Sequence, residues 1–143
     1  MGTGTRQDPY MGFSFQLAIE GITEGGFTEV TGLEATTQVE EVKEGGVNDY
    51  VHKFAKETTY GNLTLKRGLA DSEALWKWHR NVVAGKIERK IIHIFMLKDY
   101  LDETAHQWSF KDAFPVKWSG PSFNAGSNTV AFESIEIAHH GFI

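Results

Sequence analysis

The sequence predicts a mainly β protein, a barrel or sandwich of about seven or eight strands with one α-helix. Three observations carry this. Apolar and polar residues alternate over much of the chain. Only residues 72–84 show apolar residues at helical spacing, and glycine pairs and Asn-Asp mark turns between the segments.

The elements follow in order. Residues 1–10 are rich in Gly and Thr and read as a flexible N-terminal arm, leaving 11–143 as a single domain. Phe13, Phe15, Leu17 and Ile19 share one parity, as in a half-buried strand. Gly25-Gly26 is expected to turn the chain, and a second strand to run from Phe27 through Gly32 to Lys43. Over residues 34–42 that strand is polar on both faces, which suits an edge, an arm or a wall facing water. Gly45-Gly46 and Asn48-Asp49 mark a turn, so residues 39–58 are expected to form a projecting hairpin, and residues 58–67 a further strand.

Asp71 is the expected N-cap of the helix, with Glu73 in its first turn and Gly85 as its C′ residue. Its packing residues are expected to be Leu75, Trp76, Val82 and Val83, with His79 beside them as a packing residue. Residues 91–97 are apolar on both parities, so both faces of that strand should be covered. Residues 98–103 read as a turn, His106, Trp108 and Phe110 as a strand, residues 114–118 as a short strand, and residues 119–127 as a loop. Val130 and Phe132 sit on the opposite parity to Ile135 and Ile137, which suggests a β-bulge near Glu133-Ser134. One helix is too little to cover every apolar sheet face, and another copy of the chain is the expected cover.

Composition narrows the function. A chain of 16.0 kDa makes one domain, and folding should hide about two-thirds of the roughly 23,000 Å² that it exposes when extended. With 14 basic and 19 acidic residues the net charge is −5, a poor match to nucleic acid; Lys66-Arg67 and Lys86 to Lys90 read as solvated strand ends. The absence of cysteine excludes disulfides and thiolate chemistry. No apolar run reaches membrane-spanning length, and residues 1–8 lack the apolar stretch of a signal peptide.

Catalytic and metal sites are not expected. His139 and His140 are neighbours, which point to opposite faces of a strand, and no His-x-His or His-x-x-x-His spacing occurs. Ser119-Gly120-Pro121 lacks the Gly-x-Ser-x-Gly elbow. Asp99, Asp102 and Glu103 read as a solvated turn, and Asn62-Leu63-Thr64 carries no meaning without a secretory signal. No cofactor is expected.

Four ordered segments go further: Asp8-Pro9-Tyr10 with Phe13-Ser14-Phe15; Gly25-Gly26-Phe27-Thr28-Glu29-Val30-Thr31-Gly32-Leu33-Glu34; Tyr60-Gly61-Asn62-Leu63-Thr64-Leu65-Lys66-Arg67-Gly68; and Trp118-Ser119-Gly120-Pro121-Ser122-Phe123-Asn124-Ala125 running on to Asn128-Thr129-Val130-Ala131-Phe132-Glu133. Together, from about residue 8 to the end, they resemble the tail tube protein family of contractile-tailed phages and phage-tail-like contractile injection systems.

The resemblance implies a structural protein, not an enzyme. It implies a β-barrel-like sandwich whose hexameric rings stack into a hollow tube inside a contractile sheath. The implied partners are further copies of the chain, the sheath, the baseplate, tube-terminating proteins and transient cargo in the lumen, either effector protein or DNA. Assembly in the bacterial cytoplasm and incorporation into an injection particle or a phage virion tail follow. An injection system is the first expectation, a phage tail the second, and a monomeric β-barrel binding a small apolar ligand the third. Within this frame Glu40, Glu41, Lys43, Glu44, Asn48, Asp49 and Tyr50 are the expected inter-ring contacts. Thr36, Gln38 and Glu40 are the expected lumen or intersubunit wall.

Overall fold

The computed structural model describes residues 13–20, 22–43, 45–46, 50–68, 72–98, 103–121 and 131–143. In chain order the elements are β1 (Phe13–Ile19), β2 (Ile22–Thr31), β3 (Ala35–Val42), β4 (His52–Tyr60), β5 (Leu63–Gly68), α1 (Ala74–Val83), β6 (Lys90–Lys98), β7 (Glu103–Ser119) and β8 (Phe132–Ala138). The expected arm at residues 1–10 lies outside the described residues.

Six strands close into a barrel-like sandwich in the order β1-β2-β5-β8-β7-β6, every pair antiparallel. Alternation explains the interior. Leu17 and Ile19 of β1, Leu63 and Leu65 of β5, Ile92 and Ile94 of β6, and Ile135 and Ile137 of β8 all point inward and are buried. Phe27, Phe110 and Ala113 complete this layer, and Leu75 and Trp78 reach it from α1. Burial of each large apolar side chain stabilises the fold by about 1.5–3 kcal/mol.

Several expectations need correction. Gly25-Gly26 is not a turn but lies within β2, where the register with β1 slips between Phe15/Phe27 and Leu17/Glu24. Gly26, at φ 77°, supplies the backbone such a bulge needs. The expected strand from Phe27 to Lys43 is broken after Thr31, and residues 58–67 are divided after Tyr60. Both breaks fall at one junction, where Gly32 has φ 89° and a Cβ would sit 1.9 Å from the Asn62 carbonyl oxygen. Here β3 and β4 leave the barrel and pair only with each other.

The outer face of β6 is not fully covered within the chain, since Ile91 is exposed. Residues 103–119 form one long strand in place of two, bent where Asp112 adopts φ 53°. The bulge expected near Glu133-Ser134 is absent. β8 pairs regularly with β5, and the slip lies instead on β7, between Pro115 and Lys117. Its cause is visible in burial: Glu133 itself occupies an inward position in phase with Ile135 and Ile137, and Phe132 faces out.

The helix begins at Ala74, so Glu73 precedes its first turn and makes no side-chain cap. The Ala74 N–H is accepted by Ser72 Oγ at 3.3 Å, while Asp71 lies outside the described residues. At the other end Gly85, at φ 88°, donates to Val82 O and Lys86 donates to Asn81 O, which closes the helix as a Schellman motif.

Candidate assembly surfaces

The β3–β4 hairpin has no core. Every residue of β3 is exposed, and of β4 only the end residues His52 and Tyr60 are partly covered. The two strands are held by their ladder, from Ala35 opposite Tyr60 to Val42 opposite His52, and by a Thr37–Thr58 hydroxyl hydrogen bond of 2.9 Å. Thr36, Gln38 and Glu40 share one face of β3 by alternation, and all are exposed. Glu41, Lys43 and Tyr50 are exposed as well, whereas Glu44, Asn48 and Asp49 lie outside the described residues.

Sequence reading missed an aromatic row on this hairpin. Tyr50 and His52 approach edge-on at 5.0 Å between ring centroids, and His52 stacks with Phe54 at 6.3 Å. Tyr50 is 62% exposed and Phe54 52%. Val42 and Glu40 lie opposite His52 and Phe54, so apolar and acidic groups share one face. The alternation of Tyr50, His52 and Phe54 was the available signal.

The base of the hairpin is fixed to the barrel by the C-terminal segment. Residues 139–143 run beside β7, with Lys111 N–H donating to Gly141 O, His140 N–H to Lys111 O and Ile143 N–H to Ser109 O. Tyr60, His139, Phe110 and Phe142 form an aromatic cluster there. Gly141, at φ 119°, passes so close to Tyr60 that a Cβ would come within 3.0 Å of the ring. The His139 ring is held neutral. Its Nδ1 accepts the Gly141 N–H at 3.0 Å, so Nε2 carries the proton and donates to Gly61 O at 3.1 Å. Burial lowers its pKa; the bond to Gly61 opposes this, and the charge of His140 adds to it.

A buried ionic cluster locks the other side. Arg67 is not a solvated strand end: its Nε donates to Glu133 Oε1 at 2.6 Å, and its Nη1 donates to Glu24 Oε2 at 2.8 Å and to Gly25 O at 3.2 Å. Ser72 Oγ donates to Glu24 Oε1 and Trp118 Nε1 to Glu133 Oε2. The cluster ties β2, β5, β7 and β8 to the entry of α1. Lys66, its neighbour, does face out, with its ammonium over the Phe132 ring.

On α1 the packing set differs from the expected one. Leu75 is buried, but Trp78 is the second buried residue, Trp76 and Val82 are half-buried, and Val83 is 74% exposed. Trp76 instead meets Trp118 of β7 edge-on at 6.4 Å, with the Arg80 guanidinium over its ring at 4.8 Å. The helix is turned so that positions 75, 78 and 82 face the barrel, a set that the stripe through Trp76 and Val83 does not match.

The profile of the T4-like virus tail tube protein gp19 family matches residues 11–143. Among solved structures, a chain of the PVC sheath–tube complex in the extended state, an extracellular contractile injection system, superposes with a TM-score of 0.78. It is 25% identical, over 97% of this chain and 90% of that one. A chain of the PVC sheath/tube terminator gives a TM-score of 0.75 at 26% identity, over 96% of each chain. A chain of the anti-feeding prophage baseplate gives 0.75 at 23% identity, over 97% and 95% of the two chains, which shows a shared fold. No curated protein sequence matches.

Proposed function

Because this chain belongs to the T4-like virus tail tube protein family, we propose that it is the inner-tube subunit of a contractile injection system. The observation that carries this is the division of the chain into a fully cored barrel and a hairpin with no core of its own. A two-stranded ribbon is marginal in isolation, and ordering its residues costs about 1–2 kcal/mol each. It therefore suits a role in which neighbouring copies complete it. Rings of six subunits, stacked axially, supply those neighbours, and closure of the sheet across subunits removes the open strand edges that would otherwise aggregate.

In this reading Glu40, Glu41, Lys43, Glu44, Asn48, Asp49 and Tyr50 contact the next ring, and Thr36, Gln38 and Glu40 face the lumen or a neighbour's wall. A lumen of Thr, Gln and Glu holds cargo weakly and lets it pass. The sheath encloses the tube, a baseplate and a terminator close its ends, and the subunit works by assembly, without catalysis. The subunit assembles in the bacterial cytoplasm and then becomes part of a tail-like particle. The barrel interior is filled by side chains such as Phe27 and Phe110, which supports a structural role over a ligand-binding one.

The test is electron microscopy of particles purified through a tag on this chain from cells expressing its whole gene cluster. Headless, sheathed particles with the tag along an inner tube are expected. Tagged particles bearing a capsid assign the chain to a phage tail.

A further inference from the structure

The positive charge of this acidic chain is concentrated on α1 and the segment leaving it. Residues 73–90 hold Lys77, Arg80, Lys86, Arg89 and Lys90 against Glu73 and Glu88, a net +3 in a chain of net −5. The hairpin end has the opposite balance: residues 40–49 hold Glu40, Glu41, Glu44 and Asp49 against Lys43, a net −3. Beside α1 lies a groove of about 370 Å³, with Ile19, Ile22 and Trp78 as apolar lining and Lys77, Lys90, Asn81, Ser72 and one carboxylate, Glu73, as its polar lining. Ile22 is exposed, and Trp78 Nε1 is buried with no acceptor among the described residues. The two lysines are lightly engaged within the chain. Lys77 Nζ stands 4.0 Å from Glu73 and Lys90 Nζ 3.6 Å from the exposed Glu88, the kind of surface pair that contributes little.

We propose that this groove receives the acidic end of the β3–β4 hairpin from a second copy of the chain in the adjoining ring, with Glu40 set against Lys77 and Lys90 and Glu41 on the opposite face of the strand. The inference rests on the reading of the hairpin as the inter-ring arm and adds its receptor. Two unlike patches on one chain make a heterologous contact, which propagates from ring to ring and does not close on a dimer. Two hairpin ends of net −3 repel each other, so pairing end to end is disfavoured. The occupant also matches the groove in polarity. Val42 shares a face with Glu40 and can cover Ile22.

A charge-swap experiment on the full chain tests this, with tube length read by negative-stain microscopy and ring formation by sizing chromatography. Lys77→Glu/Lys90→Glu and Glu40→Lys should each shorten tubes by about tenfold or more while rings persist. Combining all three substitutions in one chain should restore tube length to within roughly twofold of the unaltered protein. Lys77→Gln/Lys90→Gln, which only neutralises the groove, should shorten tubes less than reversal does, and circular dichroism of every variant confirms folding. A triple variant whose tubes are no longer than either parent's overturns the proposal. So do parents that build tubes of normal length, including a groove variant that loses only sheath binding. In those cases the unaltered chain still stacks and the arm reading stands; if the unaltered chain forms rings that never stack, the arm reading fails with it.

Discussion

Arg67 and Glu133 meet at 2.6 Å with both side chains only 3% exposed, and their pairing lets a charged residue of β8 occupy a core position. Glu24 joins from β2 at 2.8 Å, giving two carboxylates to one guanidinium. Such a cluster adds little net stability over an apolar replacement, but removal of one partner leaves the others buried and uncompensated. Arg67→Met should therefore destabilise the chain by about 3–5 kcal/mol. Urea melts at fixed protein concentration measure this. The triple variant Arg67→Met/Glu24→Gln/Glu133→Gln should lose clearly less, because no unpaired charge is left inside; equal losses would show that the cluster is hydrated.

The observed face of α1 ranks three substitutions. Trp78→Ala should cost about 3–5 kcal/mol, as for a large core truncation. Val83→Ala, at a position 74% exposed, should stay within about 0.5 kcal/mol. Trp76→Ala should fall between them, since Trp76 is half-buried against Trp118. The order is read from unfolding midpoints of isolated subunits or rings, and a larger loss at Val83 than at Trp78 would reverse the helix orientation.

His139 gives the fold an acid-sensitive joint. Its folded-state pKa is lowered from 6.5, mainly by burial. Below 6.5 the unfolded chain therefore binds more protons than the folded one, and stability falls as pH drops from 6.5 towards the lowered value. Protonation of Nδ1 also places a proton against the Gly141 N–H. Melts at about pH 7.5 and about pH 5.5 should show a smaller acid loss for His139→Gln than for the unaltered chain. Identical losses would mean that His139 binds its proton equally well in the folded and unfolded chains.

The hairpin should be separable from the barrel. Replacement of residues 43–52 by a short Gly-Ser turn should leave circular dichroism and melting nearly unchanged, because none of the described residues in that stretch belongs to the core, and should abolish long tubes. Unfolding of the shortened chain, or tubes of full length, would each contradict the inter-ring role.

These residues also show where sequence reading works and where it fails. Leu17 and Ile19 are legible because a barrel strand with one wet face must alternate, whereas Ile92 and Ile94 are not, since residues 91–97 are apolar on both parities. The same rule misreads Glu133, since a periodicity argument assigns every Glu to solvent and sees a phase slip where the strand is regular. Arg67 is hidden for the same reason: its partners come from strands distant in sequence. Gly25-Gly26 signals φ freedom, which serves a bulge as well as a turn. On α1 the stripe through Trp76 and the stripe through Trp78 are both apolar, and only docking on β7 decides between them. Tyr50, His52 and Phe54 were readable as an exposed row but were obscured by the charges around them.

Cryo-electron microscopy of the purified chain tests the central claim most directly. The account predicts hollow rings of six subunits stacked into tubes, each barrel closed as described and the β3–β4 hairpin of every subunit contacting an adjacent ring. A monodisperse monomeric barrel, or rings that stack with their hairpins free in solvent, would contradict it.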